Sequence, residues 1–375
     1  MAAIDIRLLG DMILDTPDPD HWLSGIAPLM HDADLCIAHL EVPHTRRGLE
    51  VPGDVPAPGA EPDHLAALSR AGVHAVSLAG NHMMDRGPEG LADTIGELDR
   101  LGIAHSGAGA DLVEARRPVL IRRAKRTIAL LSYNCVGPEF SWATQDRAGC
   151  AYVRVRALDG GPPRPQADLV EAEPQSVEEM ASDIHASRAI ADFVIVALHK
   201  GITHRPAALA PYERPLAHAA VDAGADIVVG HHAHIARGIE FHRGKPIFHG
   251  LGNGVVVTRA LSPGQDHPAR AAWVEKRRTM FGFEPDPAYE LAPFHPEAVN
   301  GMIARVVWDD DGTLSAGFMP IWSEPPGRPV PAGDRAAAIS DYIDEIGVRE
   351  GLKPLDRQSA TDWVALEAPQ QEYQP

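Results

Sequence analysis

Short apolar runs recur along the first two thirds of the chain: IDIRLLG, LCIAHL, AVSLAG, TIALLSYN, FVIVALH, DIVVGH and PIFHGLG. Between several of them lie segments with apolar residues at helical spacing, among them EPDHLAALSRAG, PEGLADTIGELDRLG and YERPLAHAAVDAGA. Alternation of strand-like and helix-like segments predicts an α/β architecture whose sheets are largely buried.

The polar residues that interrupt this pattern fall at the ends of the predicted strands. They are Gly10-Asp11, His39-Leu40-Glu41, Gly80-Asn81-His82, His199-Lys200-Gly201 and Gly230-His231-His232-Ala233-His234. Ligands of open α/β sheets bind outside the carboxyl ends of the strands, so five such ends are expected to converge on one site.

Two stretches break the regularity. Residues 43–62 are too rich in Pro and Gly for a regular element and read as a long loop beside the site. An insert over 260–293 carries Trp273, Phe281, Phe283 and Tyr289, a composition that suits a lid or a binding loop. After His295, MIARVVWD and LSAGFMPIW predict a closing hairpin around the DDDG turn. The expected organisation is one domain over 1–325, then a spacer, a short helix and a tail over 326–375.

Composition narrows the partners. The 375 residues include 52 acidic against 34 basic side chains, a formal charge of −18, which argues against a nucleic acid or an anionic membrane surface. Cys36, Cys135 and Cys150 cannot all pair and show no C-x-x-C spacing, so neither a disulfide framework nor a thiolate metal site is expected. The N-terminus lacks the basic and apolar regions of a signal peptide, and no apolar run has transmembrane length. A cytoplasmic location is the expectation.

Asn, His, Asp and Glu at strand ends form the donor set of a divalent cation. A single strand-end histidine is more often a structural hydrogen-bonder, but Asp11, Glu41, Asn81, His199, His232 and His234 together point to metal. The early GD, the D-x-x-x-x-x-L-E element from Asp34 to Glu41, GNHMMDRG, HKG, GHHAH and GLGN resemble the calcineurin-like metallophosphatase superfamily. More narrowly they resemble its CapA-like branch. That resemblance implies a four-layer α/β/β/α sandwich of two mixed sheets and places Glu41, Asn81, His199, His232 and His234 as metal ligands, with Asp11 in the first motif. Two departures stand out. Ile13 occupies the place of the first motif's histidine, and His39 stands where the branch usually has Asn, so one partly hydrated cation is expected in place of two.

His82 lies one turn from Asp85, and a carboxylate on one ring nitrogen prepares the other for acid–base work. His295, held between Phe294 and Pro296, is expected near Asp11. Two such His/Asp pairs around a cation suit proton transfer at carbon, inverting a stereocentre. At closer range the chain is similar to lasso-peptide epimerases of the CapA-like branch. This similarity implies a ribosomal precursor peptide as partner, its C-terminal Trp as the inverted residue, and Ca²⁺ as cofactor, with Mn²⁺ or Zn²⁺ as alternatives. Trp273, Phe281, Phe283 or Tyr289 would line an indole pocket, and Arg86, Lys200 or Arg205 would pair a terminal carboxylate. The competing expectations are a metal-dependent phosphoesterase and a protein that binds or hydrolyses poly-γ-glutamate or another peptide.

Overall fold

The computed structural model describes residues 3–51, 59–165, 167–261, 282–359 and 363–368, with 268, 271, 272, 275 and 279 placed singly or in pairs between. Its centre is two mixed sheets laid face to face. In the first, Ile4–Leu14 is flanked by Leu35–Leu40, Ala75–Ser77 and Ala104–Ser106 on one side and by Asn300–Trp308 and Leu314–Glu324 on the other. In the second, Phe193–His199 lies between Arg126–Asn134 and Ile227–His231, with Lys245–Phe248, Ile239–His242 and Val119–Arg123 outside them.

The period-two alternation of strand side chains builds the layers. Ile6, Leu8, Ile37, Ile128, Leu130, Ile195, Ala197 and Val229 meet between the sheets. Their neighbours in sequence point outward: Leu9, Cys36, Ala38 and Val76 pack on Leu68 and Leu91 of one helical layer. Ala129, Leu131, Val194, Val196 and Val228 pack on Met180, Ile184 and Leu216 of the other. Because both faces of each sheet are covered, the strands read as continuous apolar runs, and the expected α/β/β/α sandwich is what forms.

The first strand changes partner half-way. Ile4–Leu8 run antiparallel to Asn300–Trp308, whereas Asp11–Leu14 run parallel to Asn253–Val257, with a register shift between Asp11 and Met12. Such an irregularity re-aims a side chain, here the Asp11 carboxylate. Gly10 permits it: a Cβ at this position would fall 1.9 Å from the carbonyl oxygen of Gly252.

The hairpin around the DDDG turn forms as expected from Asn300–Trp308 and Leu314–Glu324. The segment set apart as 326–375, by contrast, is woven into the first sheet. Arg328–Pro331 and Val364–Leu366 both pair with Leu314–Glu324, and the helix Ala336–Arg349 buries Ile339, Ile343 and Ile346. Its apolar face needs the sheet's covering surface, which a sequence window does not contain. Trp273 and Phe281 lie outside the described residues. No helix among the described residues is long and apolar enough to cross a membrane.

Candidate metal centre

The carboxyl ends of Ile4–Leu14, Leu35–Leu40, Ala75–Ser77, Phe193–His199 and Ile227–His231 meet at one end of the sandwich. Register brings the residues together: Asp11 is opposite both His39 and Asn253, and His199 is opposite His231. Donor atoms of Asp11, His39 and His199 lie within 4.8 Å of one another, and so do those of Asp11, Glu41 and His234. Asp11 is shared between the two groups. Asn81 and His232 complete the cluster, with Asn81 Oδ1 2.6 Å and His232 Nδ1 3.1 Å from His199 Nε2. All five expected ligands are therefore gathered, and His39 joins them.

Several polar atoms of the cluster's residues are short of partners. Both Glu41 oxygens, His39 Nε2 and His199 Nδ1 are buried without a hydrogen bond, although His234 Nε2 stands 3.3 Å from Glu41 Oε1. Buried polar groups are nearly always satisfied, so an orphaned set around these carboxylates and imidazoles asks for a bound species. The outward ring nitrogens are satisfied: His39 Nδ1 by Ser77 Oγ at 2.9 Å, His234 Nδ1 by Asn253 Oδ1 at 2.9 Å and His232 Nε2 by Thr203 Oγ1 at 2.8 Å. This is how metal-ligating imidazoles are held, outer nitrogen tied and inner nitrogen aimed. The donor set of carboxylate, amide and imidazole fits a divalent cation.

The electrostatics divide the cluster. Burial, then the neighbouring Glu41, push Asp11 well above the usual carboxylate range. Burial opposes protonation of His234, but Glu41 and then Asp11 outweigh it and lift its pKa to about 9. Burial would raise Glu41 too, yet His234 holds it down at about 2. Burial and the surrounding imidazoles keep His39 and His199 neutral, far below their ordinary value. Neutral His39 and His199 and an ionised Glu41 are in the forms a cation requires, whereas His234 and Asp11 release protons when a cation binds.

The chain reaches this geometry through uncommon backbone. His232 and His234 adopt φ of 89° and 55°, a left-handed region that costs a non-glycine residue about 1–3 kcal/mol. The His232 N–H donates to Asp11 Oδ2 at 3.1 Å, which helps fix the turn.

His82 and Asp85 form the pair read from their spacing, with His82 Nδ1 2.7 Å from Asp85 Oδ2. His82 acts electrostatically on both Asp11 and Glu41, which puts it beside the cluster. Asp85 is not the cap of the following helix, a position taken by Arg86. His295 and Asp11 do not pair. His295 Nδ1 accepts the Glu297 N–H at 3.1 Å, and its ring meets Phe283, while the Asp11 carboxylate is engaged by His232 and His234. The short helical turn begun by Pro296 sets the His295 ring to capping, which a motif offset does not reveal.

One further expectation is corrected, and two other residues are placed. Lys200 is buried against Glu213, its Nζ 2.7 Å from Oε2, and is not available to a substrate carboxylate. His231 spends Nε2 on the Leu9 carbonyl at 3.2 Å, so it stacks beside His39 without serving the cluster through that nitrogen. Tyr289 is buried with its hydroxyl on the Ser323 carbonyl at 2.8 Å. Sequence reasoning missed Ser77 and Thr203, and used Asn253 only as part of the GLGN motif.

A model of the bacterial capsule synthesis protein PGA_cap matches residues 6–257, a stretch that contains every residue of the donor cluster. The chain belongs to the PGA_cap family. A probable polyglutamine synthesis accessory protein of Mycobacterium tuberculosis is 34% identical over 237 residues, 62% of this chain and 58% of that protein. The PGA biosynthesis protein CapA of Bacillus subtilis is 32% identical over 176 residues, 47% of this chain and 40% of CapA. The chain thus spans about half the length of the curated PGA_cap relatives it matches. Among solved structures, a calcineurin-like phosphoesterase of Bacillus subtilis aligns over 92% of this chain and 96% of its own, with 13% identity and a TM-score of 0.38.

Proposed function

We propose that this PGA_cap protein is a metal-dependent acid–base catalyst acting on a peptide, and that its reaction is inversion at a Cα centre. The observation that carries the reading is the His82–Asp85 pair standing beside the donor cluster. A cation held by Asp11, His39, Glu41, Asn81, His199, His232 and His234 would supply charge stabilisation for an enolate-like carbonyl oxygen. The carboxylates suit Ca²⁺ and the imidazoles suit Mn²⁺ or Zn²⁺.

The chain's own residues supply the proton traffic. Asp85 fixes the His82 tautomer with the proton on Nδ1, so Nε2 is the nitrogen that takes a proton from Cα. His295 has Nδ1 occupied by the Glu297 N–H, so Nε2 is its proton-bearing nitrogen. His82 gains the Cα proton, a water held at the His295 Nε2–H gives one to the opposite face, and the hydroxide so formed takes the proton back from His82, so the proton count is unchanged. Burial lowers the pKa of His295, which favours its neutral form. A precursor peptide ending in Trp is the substrate implied by the likeness to lasso-peptide epimerases.

Family membership favours a second reading, a protein that binds or hydrolyses poly-γ-glutamate or another peptide, in keeping with the names of its relatives. The charge of −18 makes a polyanionic partner electrostatically unfavourable. Phosphoester hydrolysis is the remaining alternative. One incubation separates them: a Trp-ended peptide in D₂O with Ca²⁺ or Mn²⁺, followed by mass and chirality. Gain of one deuteron with inversion supports epimerisation. Chain cleavage supports hydrolysis, and an unaltered peptide removes the epimerase reading for that substrate.

A further inference from the structure

The strained backbone at His232 needs something outside the motif to hold it, and the contacts lead to the far end of the chain. Thr203 Oγ1 lies 2.8 Å from His232 Nε2. Thr203 sits in the loop that follows His199, and that loop is clamped by Arg237, a side chain buried to 1% exposure. Its guanidinium donates to the carbonyls of Ile202, at 2.6 Å, and Arg205. Arg237 in turn faces Glu350 Oε1 at 3.4 Å, and the other Glu350 oxygen accepts the Gly238 N–H at 2.8 Å. Glu350 caps the helix Ala336–Arg349, well beyond the stretch 6–257 that defines the family match.

We infer that Glu350 is a positioning residue for the donor cluster: by fixing Arg237 it holds the 202–205 loop so that Thr203 sets the orientation and tautomer of His232. Several observations converge on this. A guanidinium taken out of water requires both a counter-charge and hydrogen-bond acceptors, and Glu350 together with two loop carbonyls provides them. With the loop fixed, the Thr203 hydroxyl accepts the His232 Nε2–H, and Nδ1 is left as a lone-pair donor toward His199 and the cluster. The same loop carries His204, whose ring stacks on His234 with centroids 5.4 Å apart. Both histidines of the H-x-H turn are therefore braced by one loop, and the brace on that loop is an acid from the C-terminal helix.

The inference rests on the metal-binding part of the proposed function, so the test includes a readout that needs no metal. The full chain is prepared as wild type, Thr203→Val, Thr203→Ser, Glu350→Ala and Glu350→Gln. Mn²⁺ affinity is measured by calorimetry, and the His232 ring nitrogens are followed by long-range ¹⁵N–¹H correlation in the metal-free protein. Thr203→Val should weaken Mn²⁺ binding about tenfold or more, as loss of an outer imidazole partner does, and should shift the His232 tautomer signals. Thr203→Ser should restore both. Glu350→Ala should move both readouts the same way, and Glu350→Gln, which keeps an acceptor for Gly238 and the helix end intact, serves if the alanine variant fails to fold. If wild type binds no Mn²⁺, the metal reading fails while the tautomer readout still decides the inference. Unchanged His232 signals in Thr203→Val and in the folded Glu350 variant overturn it.

Discussion

His82 Nδ1 and Asp85 Oδ2 stand 2.7 Å apart, three residues apart in sequence and both largely shielded from water. The pair lies in a turn, before the helix Gly87–Leu101 begins. The contact orients the imidazole.

That relationship predicts the behaviour of Asp85→Asn. The amide keeps the shape of the contact but not its charge, and the His82 ring loses its basicity and its fixed tautomer. Deuterium exchange at the substrate Cα should fall by about 10²–10⁴-fold, the usual contribution of a general base. Mn²⁺ affinity should remain near wild type, because Asp85 lies outside the two donor groups. Exchange at the wild-type rate would remove the pair from the mechanism.

Asn253→Ala tests the support of His234. Asn253 Oδ1 accepts from His234 Nδ1 at 2.9 Å, which keeps Nε2 directed at Glu41. Loss of such an outer partner costs about 10–100-fold in metal affinity. Calorimetric titration with Mn²⁺ measures it, and an affinity equal to wild type would mean that His234 is oriented by its other neighbours.

Lys200→Met probes a buried ion pair. Lys200 Nζ donates to Glu213 Oε2 at 2.7 Å and to the His249 carbonyl at 3.1 Å, with both charged side chains almost fully enclosed. Removing one partner leaves an uncompensated buried carboxylate, so stability should drop by about 3–5 kcal/mol. Urea unfolding checks this. A double change of Lys200→Met with Glu213→Gln should recover part of the loss.

Acid should destabilise the protein before its carboxylates titrate. Burial, opposed by a bond to the Val42 carbonyl, lowers the pKa of His44 to about 3, and burial together with Lys200 lowers that of His249 to about 4. Both are neutral when folded and titrate near pH 6.5 when unfolded, so the unfolded chain binds more protons as pH falls below that value. Their stabilising contribution is full above pH 6.5 and is lost progressively toward pH 4. Each costs about 1–2 kcal/mol between pH 6.5 and 5, at 1.36 kcal/mol per unit. Urea midpoints across this range should fall, and His44→Phe should flatten the slope.

The sequence by itself determined the strands, the helices and the polar strand ends. These are local facts: an apolar run that must be buried on both faces stops where polar side chains begin, so Asp11, Glu41, Asn81, His199, His232 and His234 were legible as one set. The His82–Asp85 pair was legible because three residues of chain fix its geometry. Tertiary structure decided how each ring nitrogen is satisfied. Ser77 reaches His39 across 38 residues, Thr203 reaches His232 across 29, and Glu350 reaches Arg237 across 113. Such partners are chosen by sheet register and packing, where a shift of one residue turns a side chain to the opposite face, and short sequence windows carry no record of that choice. For the same reason the capping role of His295 was not legible, nor were the strands Arg328–Pro331 and Val364–Leu366 on either side of the expected C-terminal helix.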